Sequence, residues 1–363
     1  MPDIRIALDA MGGDHAPAEI VKGAVEALRA DRALSLVLVG DEARLNAELS
    51  PYAGENLSLS VVHAAEVIQM DEAASAVRKK KDASIVVAMD QVKAGHCQGV
   101  VAAGSTGAAM AAALLRLGRV RGIERPAIAV VMPTLKGPVV LLDVGANVDC
   151  KPLYLAQFAR MGDAYARAVL KIAEPRVGLV NIGEEPGKGD ELALAAHQLL
   201  AETRGLRFIG NVEGRDLPRG NVDVAVCDGF VGNVMLKLAE GMGDLFNGLL
   251  KEQINQGGLA AKLGAALLLP VFKRFKKRLD PAEYGGALLL GVNGICVISH
   301  GSSKAQAIVN AIRVAKEAIL ADTLGLLANA ELAQNAILAD THDLLANAEP
   351  GEPLAPPTGG GAA

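Results

Sequence analysis

Four short segments combine glycine with hydroxyl, amide or carboxylate residues: GSTGA at 104–108, DVGAN at 143–147, NIGEEPGKG at 181–189 and SHGSS at 299–303. Glycine lets backbone N–H groups close on an anion, and a helix that follows turns its positive end toward it. Gly104, Ser105, Thr106, Gly107, Asp143, Gly145, Asn147, His300, Ser302 and Ser303 are therefore candidates to hold phosphate or a similar anion. Lys188 lies between glycines, where its ammonium can reach an anion or stay solvated. Asn233, in DGFVGN, can donate its amide to a developing oxyanion or cap the helix that starts there. Asp9, Asp14 and His15 could orient a substrate or move a proton, and spacing does not choose between these roles. Neither GxxxxGK[ST] nor GxGxxG occurs, which argues against an ATPase or a dinucleotide enzyme of the usual fingerprint. Cys97, Cys150, Cys227 and Cys296 show no CxxC pair and no ligand spacing with His, so buried reduced thiols are expected. No metal and no cofactor is expected.

These segments need a frame that sets them at strand ends. Through residue 230, short β-branched runs alternate with Ala-rich helical patterns. Strands are expected at 4–9, 36–40, 57–63, 99–103, 127–132, 139–144, 177–182 and 222–227. Helices fall at 18–30, 83–94, 153–172 and 191–203, with a further one through residue 117. This alternation implies βαβ units, hence an α/β fold with a largely parallel sheet covered on both faces. Ligands of such sheets sit beyond the carboxyl ends of the strands, so the four loops predict one phosphate-binding crevice.

The 363 residues are 51% hydrophobic and 21% charged, which excludes disorder for most of the chain. Two stretches without charge, 94–115 and 284–303, are broken by Gly, His and Ser and read as strand, loop and helix rather than as spans. The start of the chain lacks a basic and apolar leader, so a cytoplasmic protein is expected. The net charge of −5 gives no overall pull toward nucleic acid.

Local charge differs. Residues 251–278 hold seven basic residues against Glu252 alone, with Leu259, Leu263, Leu267, Val271 and Phe275 recurring every four residues. A basic helix with an apolar stripe reads as a membrane-surface element, or else as a helical hairpin with its stripe buried. Arg78, Lys79, Lys80 and Lys81 form a second cluster that could recognise an acidic partner or solvate a helix end. Without interleaved aromatics, neither cluster suggests nucleic acid. Near the end, Ala318–Glu331 recurs as Ala336–Glu349 with twelve of fourteen positions identical and a period of 18. That period is about five helical turns, so 331–363 is read as a helical extension with a flexible tail, after a main domain over 1–330.

LDAMGGDHAP, AGSTGA, LDVGANVDCKP, NIGEEPGKGDE, CDGFVGN and EYGGALLLGVNG with SHGSS run in order from about residue 4 to about residue 320. Together they resemble the bacterial phosphate acyltransferase (PlsX) family. The resemblance implies a dimeric three-layer αβα sandwich, akin to the isopropylmalate dehydrogenase and phosphotransacetylase folds, with a protruding helical hairpin at about 250–280. It implies that long-chain acyl-acyl carrier protein and inorganic phosphate become acyl phosphate and free carrier, in phospholipid biosynthesis. The product would pass to a membrane glycerol-3-phosphate acyltransferase, and the enzyme would sit at the inner face of the cell membrane. The matching motifs place the catalytic pair at Lys188 and Asn233. Phosphate is the nucleophile in that reaction, so no Ser–His pair or activated Cys is needed, and none is evident. The alternative enzyme is a phosphotransacetylase using a short-chain acyl-coenzyme A. A β-decarboxylating dehydrogenase would need a metal-carboxylate cluster, which the sequence does not display. A peripheral scaffold for fatty-acid enzymes is the non-enzyme reading.

Overall fold

The structure, a computed structural model, describes residues 4–279 and 285–328. Strand β1 (Ile4–Asp9) leads through α1 (Ala18–Ala30) to β2 (Leu34–Gly40), α2 (Glu42–Leu49) and β3 (Leu59–His63). Then come α3 (Ser84–Lys93), β4 (Gly99–Ala102), α4 (Thr106–Arg116), β5 (Ala127–Pro133) and β6 (Pro138–Leu142). A second run follows with α5 (Pro152–Ala168), β7 (Arg176–Val180), α6 (Glu191–Glu202), β8 (Arg207–Val212), α7 (Asp216–Arg219) and β9 (Val224–Val226). Helices α8 (Gly229–Gln256), α9 (Gly258–Leu267) and α10 (Leu269–Leu279) precede β10 (Ala287–Leu290), β11 (Ile295–Ile298) and α11 (Ala305–Leu320).

The described strands form one eleven-stranded sheet in the order β3-β2-β1-β4-β11-β10-β5-β6-β9-β7-β8. Alternation along each strand supplies two cores. Ile6 and Leu8 of β1, with Leu36 and Leu38 of β2 and Leu142 of β6, face one side. Ala7, Val37, Val39 and Leu141 face the other. Burial on both faces explains why these strands are apolar throughout. Helices α1, α5 and α11 pack on the first face, and α3 and α4 on the second. The result is the expected three-layer α/β architecture with a mostly parallel sheet. Helix α5 comes close enough that a Cβ at Gly162 would lie 2.5 Å from Val224 Cγ1.

The sheet also reverses. Strand β10 pairs antiparallel with β11 and β5, and β5 pairs antiparallel with β6. Strands β6, β9, β7 and β8 therefore run opposite to β1, β2, β4 and β11. Strand β8 escaped the sequence reading because it is an edge strand whose first residues alternate between exposed and half-buried.

The terminal repeat departs from expectation. Its first copy does not continue α11 as one rod. The chain turns at Ala321 and Asp322 (φ +47°), and a short helical piece at 323–328 buries Thr323 and Leu327. The second copy and the extension over 331–363 lie outside the described residues. Among those described, no helix is long and apolar enough to cross a membrane.

Candidate active site

The four glycine loops divide into two pairs, contrary to the single crevice edge expected from sequence. The loops after β4 and β11 leave one edge of the sheet, and those after β6 and β7 leave the other, because the β5–β6 hairpin reverses the strand direction. The loop after β1 joins the first pair, and the β9–α8 junction joins the second.

In the first cluster, Gly12 and Gly104 pack backbone on backbone, and the Asp14 N–H donates to the Gly301 carbonyl (2.9 Å). Gly13 needs to be glycine, with φ +104° and Ala103 O 2.7 Å from where a Cβ would stand. Ser105 caps α4 by accepting the Ala108 N–H, which leaves Thr106 and Gly107 exposed at a positive helix end. Asp9 is buried against this loop and accepts the Met11 N–H (3.3 Å). Burial raises its carboxyl above the ordinary value, opposed by the Ser84 hydroxyl and by the Met11 and Gly12 N–H groups. Asp9, Gly104 and Ser105 line a small cavity together with Ile68 and Ala108. Asp14, His15 and His300 are exposed at the same edge.

Two expectations change here. Ser303 is buried and its hydroxyl is 2.8 Å from that of Ser299, so it braces the loop instead of offering a free donor. His300 Nδ1 lies 2.8 Å from Ser302 Oγ and 3.3 Å from the Ser302 N, a Ser–His contact the sequence reading did not foresee. Both groups of Ser302 converge on one nitrogen two residues away, which is the geometry of a locked turn.

In the second cluster Asp143 is the organiser. It is fully buried and accepts Ile128 N–H and Ala146 N–H on Oδ1 (2.9 and 3.1 Å) and Asn147 N–H on Oδ2 (2.6 Å). Burial raises its carboxyl, and these donors oppose the rise. Asn147 spends its side-chain amide on Pro126 O (2.8 Å) and Asp143 (2.9 Å). Asp143, fully buried with both oxygens engaged, therefore braces the loop and is not the exposed phosphate ligand expected from sequence, and Asn147 joins it through its backbone N–H and its amide nitrogen. The loop in turn seats α8: Asn147 O accepts the Gly229 N–H (2.7 Å), and a Cβ at Gly232 would fall far inside contact with the Asp143 carbonyl oxygen.

Asn233 is not the helix cap. Asp228 caps α8 by accepting the Phe230 and Val231 N–H groups (2.9 Å each), which leaves Asn233 exposed with its amide over Gly145. Lys188 is exposed in a loop held by its own backbone. Its N–H donates to Glu185 O (3.1 Å) and its carbonyl accepts from Asn181 Nδ2 (2.9 Å). Its ammonium makes no ion pair among the described residues. Lys188 and Asn233 share a sheet edge, since β7 and β9 run parallel.

The fold also assembles a carboxylate group that was not visible in sequence. Oxygens of Glu184, Glu213 and Asp216 lie within 4.8 Å of one another. Asp216 already accepts from Glu213 N (3.0 Å) and Asn221 Nδ2 (3.1 Å), and Glu213 pairs with Arg215 at 2.5 Å. The group thus has structural partners.

No cysteine is poised as a nucleophile. Burial pushes Cys97 up to about 11 and Cys150 and Cys296 to about 12, and Cys227 rises well above its usual value. Cys150 is half-buried, which corrects the expectation that all four are buried.

Beyond Asn233, α8 leaves the body. Its buried residues are Gly229 and Gly232. Val234, Leu238, Met242, Leu245 and Leu249 are each more than half exposed. Helix α9 has no buried residue, with Leu259, Leu263 and Leu267 open, and Val271 and Phe275 of α10 are also exposed. The Phe275 ring meets that of Phe246 at 5.9 Å, so α10 returns to α8. The stripe is therefore a surface and not a buried hairpin seam.

Residues 4–324 match the family described as "Fatty acid synthesis protein". The chain is 57% identical over 323 residues to a protein described as phosphate acyltransferase from Synechococcus elongatus, covering 88% of this chain and 92% of the relative. A phosphate acyltransferase from Pelotomaculum thermopropionicum is 57% identical over 317 residues, covering 87% and 92%. Among solved structures, a phosphotransacetylase from Streptococcus pyogenes aligns with TM-score 0.59 at 19% identity, over 87% of this chain and 94% of that one. A branched-chain phosphotransacylase from Enterococcus faecalis aligns with TM-score 0.52 at 13% identity, over 87% and 99%. These two likenesses concern the fold alone.

Proposed function

The chain belongs to the fatty acid synthesis protein family and is an acyltransferase related to its phosphate acyltransferases, and on that premise we propose that it moves a long-chain acyl group from acyl carrier protein to inorganic phosphate. A phosphate oxygen attacks the thioester carbonyl carbon, the carbon–sulfur bond breaks from the tetrahedral intermediate, and the carrier thiolate leaves and takes a proton. The products are acyl phosphate and free carrier.

The observation that carries this reading is the state of two side chains on one sheet edge. Lys188 offers an exposed ammonium without an ion pair among the described residues, and Asn233 offers an amide that its helix does not use as a cap. A cation suits the phosphate dianion, and an amide N–H suits the oxyanion that develops on the carbonyl. The shifted thiols support direct attack, because a thiolate intermediate would need a depressed pKa.

The apolar arm supports a surface-bound enzyme. Exposed Leu259, Leu263 and Leu267 lie on the same segment as exposed Lys262, Lys273 and Arg274, a pattern suited to anionic lipid. An enzyme held at such a surface would hand its product to a membrane glycerol-3-phosphate acyltransferase. The exposed face of α8 supports a homodimer, since apolar patches of that extent mark interaction sites.

Replacing Lys188 or Asn233 with Ala tests the assignment. Each change should lower turnover of acyl-acyl carrier protein with phosphate by about 10²–10³-fold without changing the melting temperature. Unaltered turnover would remove both from the chemistry. Activity on acetyl-coenzyme A exceeding that on the long-chain carrier thioester would favour the phosphotransacetylase reading.

A further inference from the structure

The loop over 181–190 that carries Lys188 is fastened at both ends. At its start Asn181 Nδ2 donates to Lys188 O (2.9 Å), and at its close Asp190 caps α6 by accepting the Ala193 N–H (2.8 Å). Between them the chain makes a turn in which the Lys188 N–H donates to Glu185 O (3.1 Å). The Lys188 stem folds back across that turn, with Cγ 3.2 Å from where a Cβ of Gly183 would stand. Where the ammonium points therefore depends on where Glu185 and its carbonyl are held.

Strand β8 reaches into the turn with one side chain. Asn211 is 5% exposed, and its Nδ2 donates to Glu185 O (2.8 Å), the same oxygen that accepts from Lys188. Two donors on one carbonyl occupy both of its lone pairs. The Asn211 Oδ1 lies 3.0 Å from His197 Nδ1 on α6. An amide oxygen only accepts, so the ring nitrogen carries the proton here and fixes which way the amide faces. The His197 ring itself stands edge-on to Phe208, with centroids 5.2 Å apart. A bulge aims Asn211 at the turn. The β7–β8 pairing slips between Val177–Phe208 and Leu179–Asn211, which gives β8 one extra residue, and Gly210 takes φ +92°. Bulges re-aim side chains in this way. Asn211 and Val212 are accordingly buried in succession, after residues that alternate.

We propose that Asn211, with His197 behind it, is a positioning residue that holds the turn directing the Lys188 ammonium toward phosphate. The inference rests on Lys188 as the phosphate cation and adds the group that keeps it in place. Asn211 acts through the Glu185 carbonyl and touches no substrate. Without its donor the turn would hang between its two fastened ends. A displacement of about 1 Å at a positioned group can cost up to about 10²-fold in rate.

The test is a double-mutant cycle between Asn211→Asp and Lys188→Ala, assayed with acyl-acyl carrier protein and inorganic phosphate. Asn211→Asp keeps the size and the oxygen that meets His197, and removes the donor to Glu185 O. Alone, it should lower kcat/KM for phosphate about tenfold or more, while KM for the acyl donor stays within about twofold. On Lys188→Ala it should add less than about twofold, because the cation it positions is gone. A bond that merely stiffens the edge strand would give the same loss in both backgrounds. That result, or an unchanged kcat/KM for phosphate, overturns the proposal. If Asn211→Asp does not fold, His197→Ala repeats the cycle with a loss of about threefold, again absent on Lys188→Ala. No loss, or equal losses in the two backgrounds, is then the overturning result. If Lys188→Ala itself leaves kcat/KM for phosphate unchanged, Lys188 is not the phosphate cation, and the role of Asn211 falls with it.

Discussion

Helix α8 passes through two environments, and the contrast between them organises the molecule. At its root, Gly229 and Gly232 are pressed on the Asp143–Asn147 loop, with Asp228 as cap and Asn233 just beyond. A few turns later the same helix carries exposed Leu238, Met242 and Leu249, and Gly241 and Gly243 have nothing within 4 Å of where a Cβ would be. Root glycines permit contact, whereas distal ones have no contact to permit. The root seats the helix turn that carries Asn233, while the distal part presents a surface.

The contrast can be broken most forcefully at Gly232. A Cβ there meets a backbone carbonyl that cannot rotate away, so Gly232→Ala should cost about 3 kcal/mol, at the upper end for overpacking, and remove most activity. Urea unfolding and turnover measure both. Asp143→Asn comes next. Its amide would face two N–H donors in a buried site, which should cost about 2 kcal/mol in the same unfolding assay. Gly241→Ala, on the distal part, should have the opposite sign and add about 0.5–1 kcal/mol through helix propensity. A loss there would mean that the distal helix is packed.

Leu263→Glu with Leu267→Glu should shift stability by less than about 0.5 kcal/mol, because both side chains are already exposed. Binding to vesicles containing anionic lipid should nevertheless be lost. Binding that survives would show that this segment is not the anchor. The subtlest check lies at Cys150, beside the root. Burial and the nearby Asp143 and Asp228 carboxylates hold its thiol neutral below about 12. Alkylation by iodoacetamide should therefore rise steadily with pH and show no plateau between pH 7 and 10. A plateau near neutrality would reveal an activated thiolate.

Much of the frame was legible in the sequence. Apolar runs such as VVLLDV mark buried parallel strands, and the motif order alone indicates the family. The reversal of the sheet was not legible, since the β5–β6 hairpin and the β10–β11 pair are decided by partners far apart in sequence. Candidate residues divided for the same reason. Asn233 and Lys188 stayed available, while Asp143, Asn147 and Ser303 turned inward to satisfy buried donors and hydroxyls. Composition suggests which residue types can bind phosphate, but not which polar atoms the backbone consumes first. The tight seat of Gly232 is likewise a contact between helix and loop that one-dimensional spacing does not encode.

In the proposed reaction phosphate itself attacks the acyl thioester. Ser302, whose Oγ lies 2.8 Å from His300 Nδ1, is the hydroxyl to test for a competing acyl-enzyme route. The direct measurement mixes enzyme with acyl-acyl carrier protein, with and without phosphate, and follows products and intact enzyme by mass spectrometry. With phosphate, acyl phosphate and free carrier should form in equal amounts, and Ser302→Ala should do the same. Without phosphate, the enzyme mass should remain unchanged. An acyl adduct on the enzyme in the absence of phosphate, or no acyl phosphate in its presence, would rule out direct attack by phosphate.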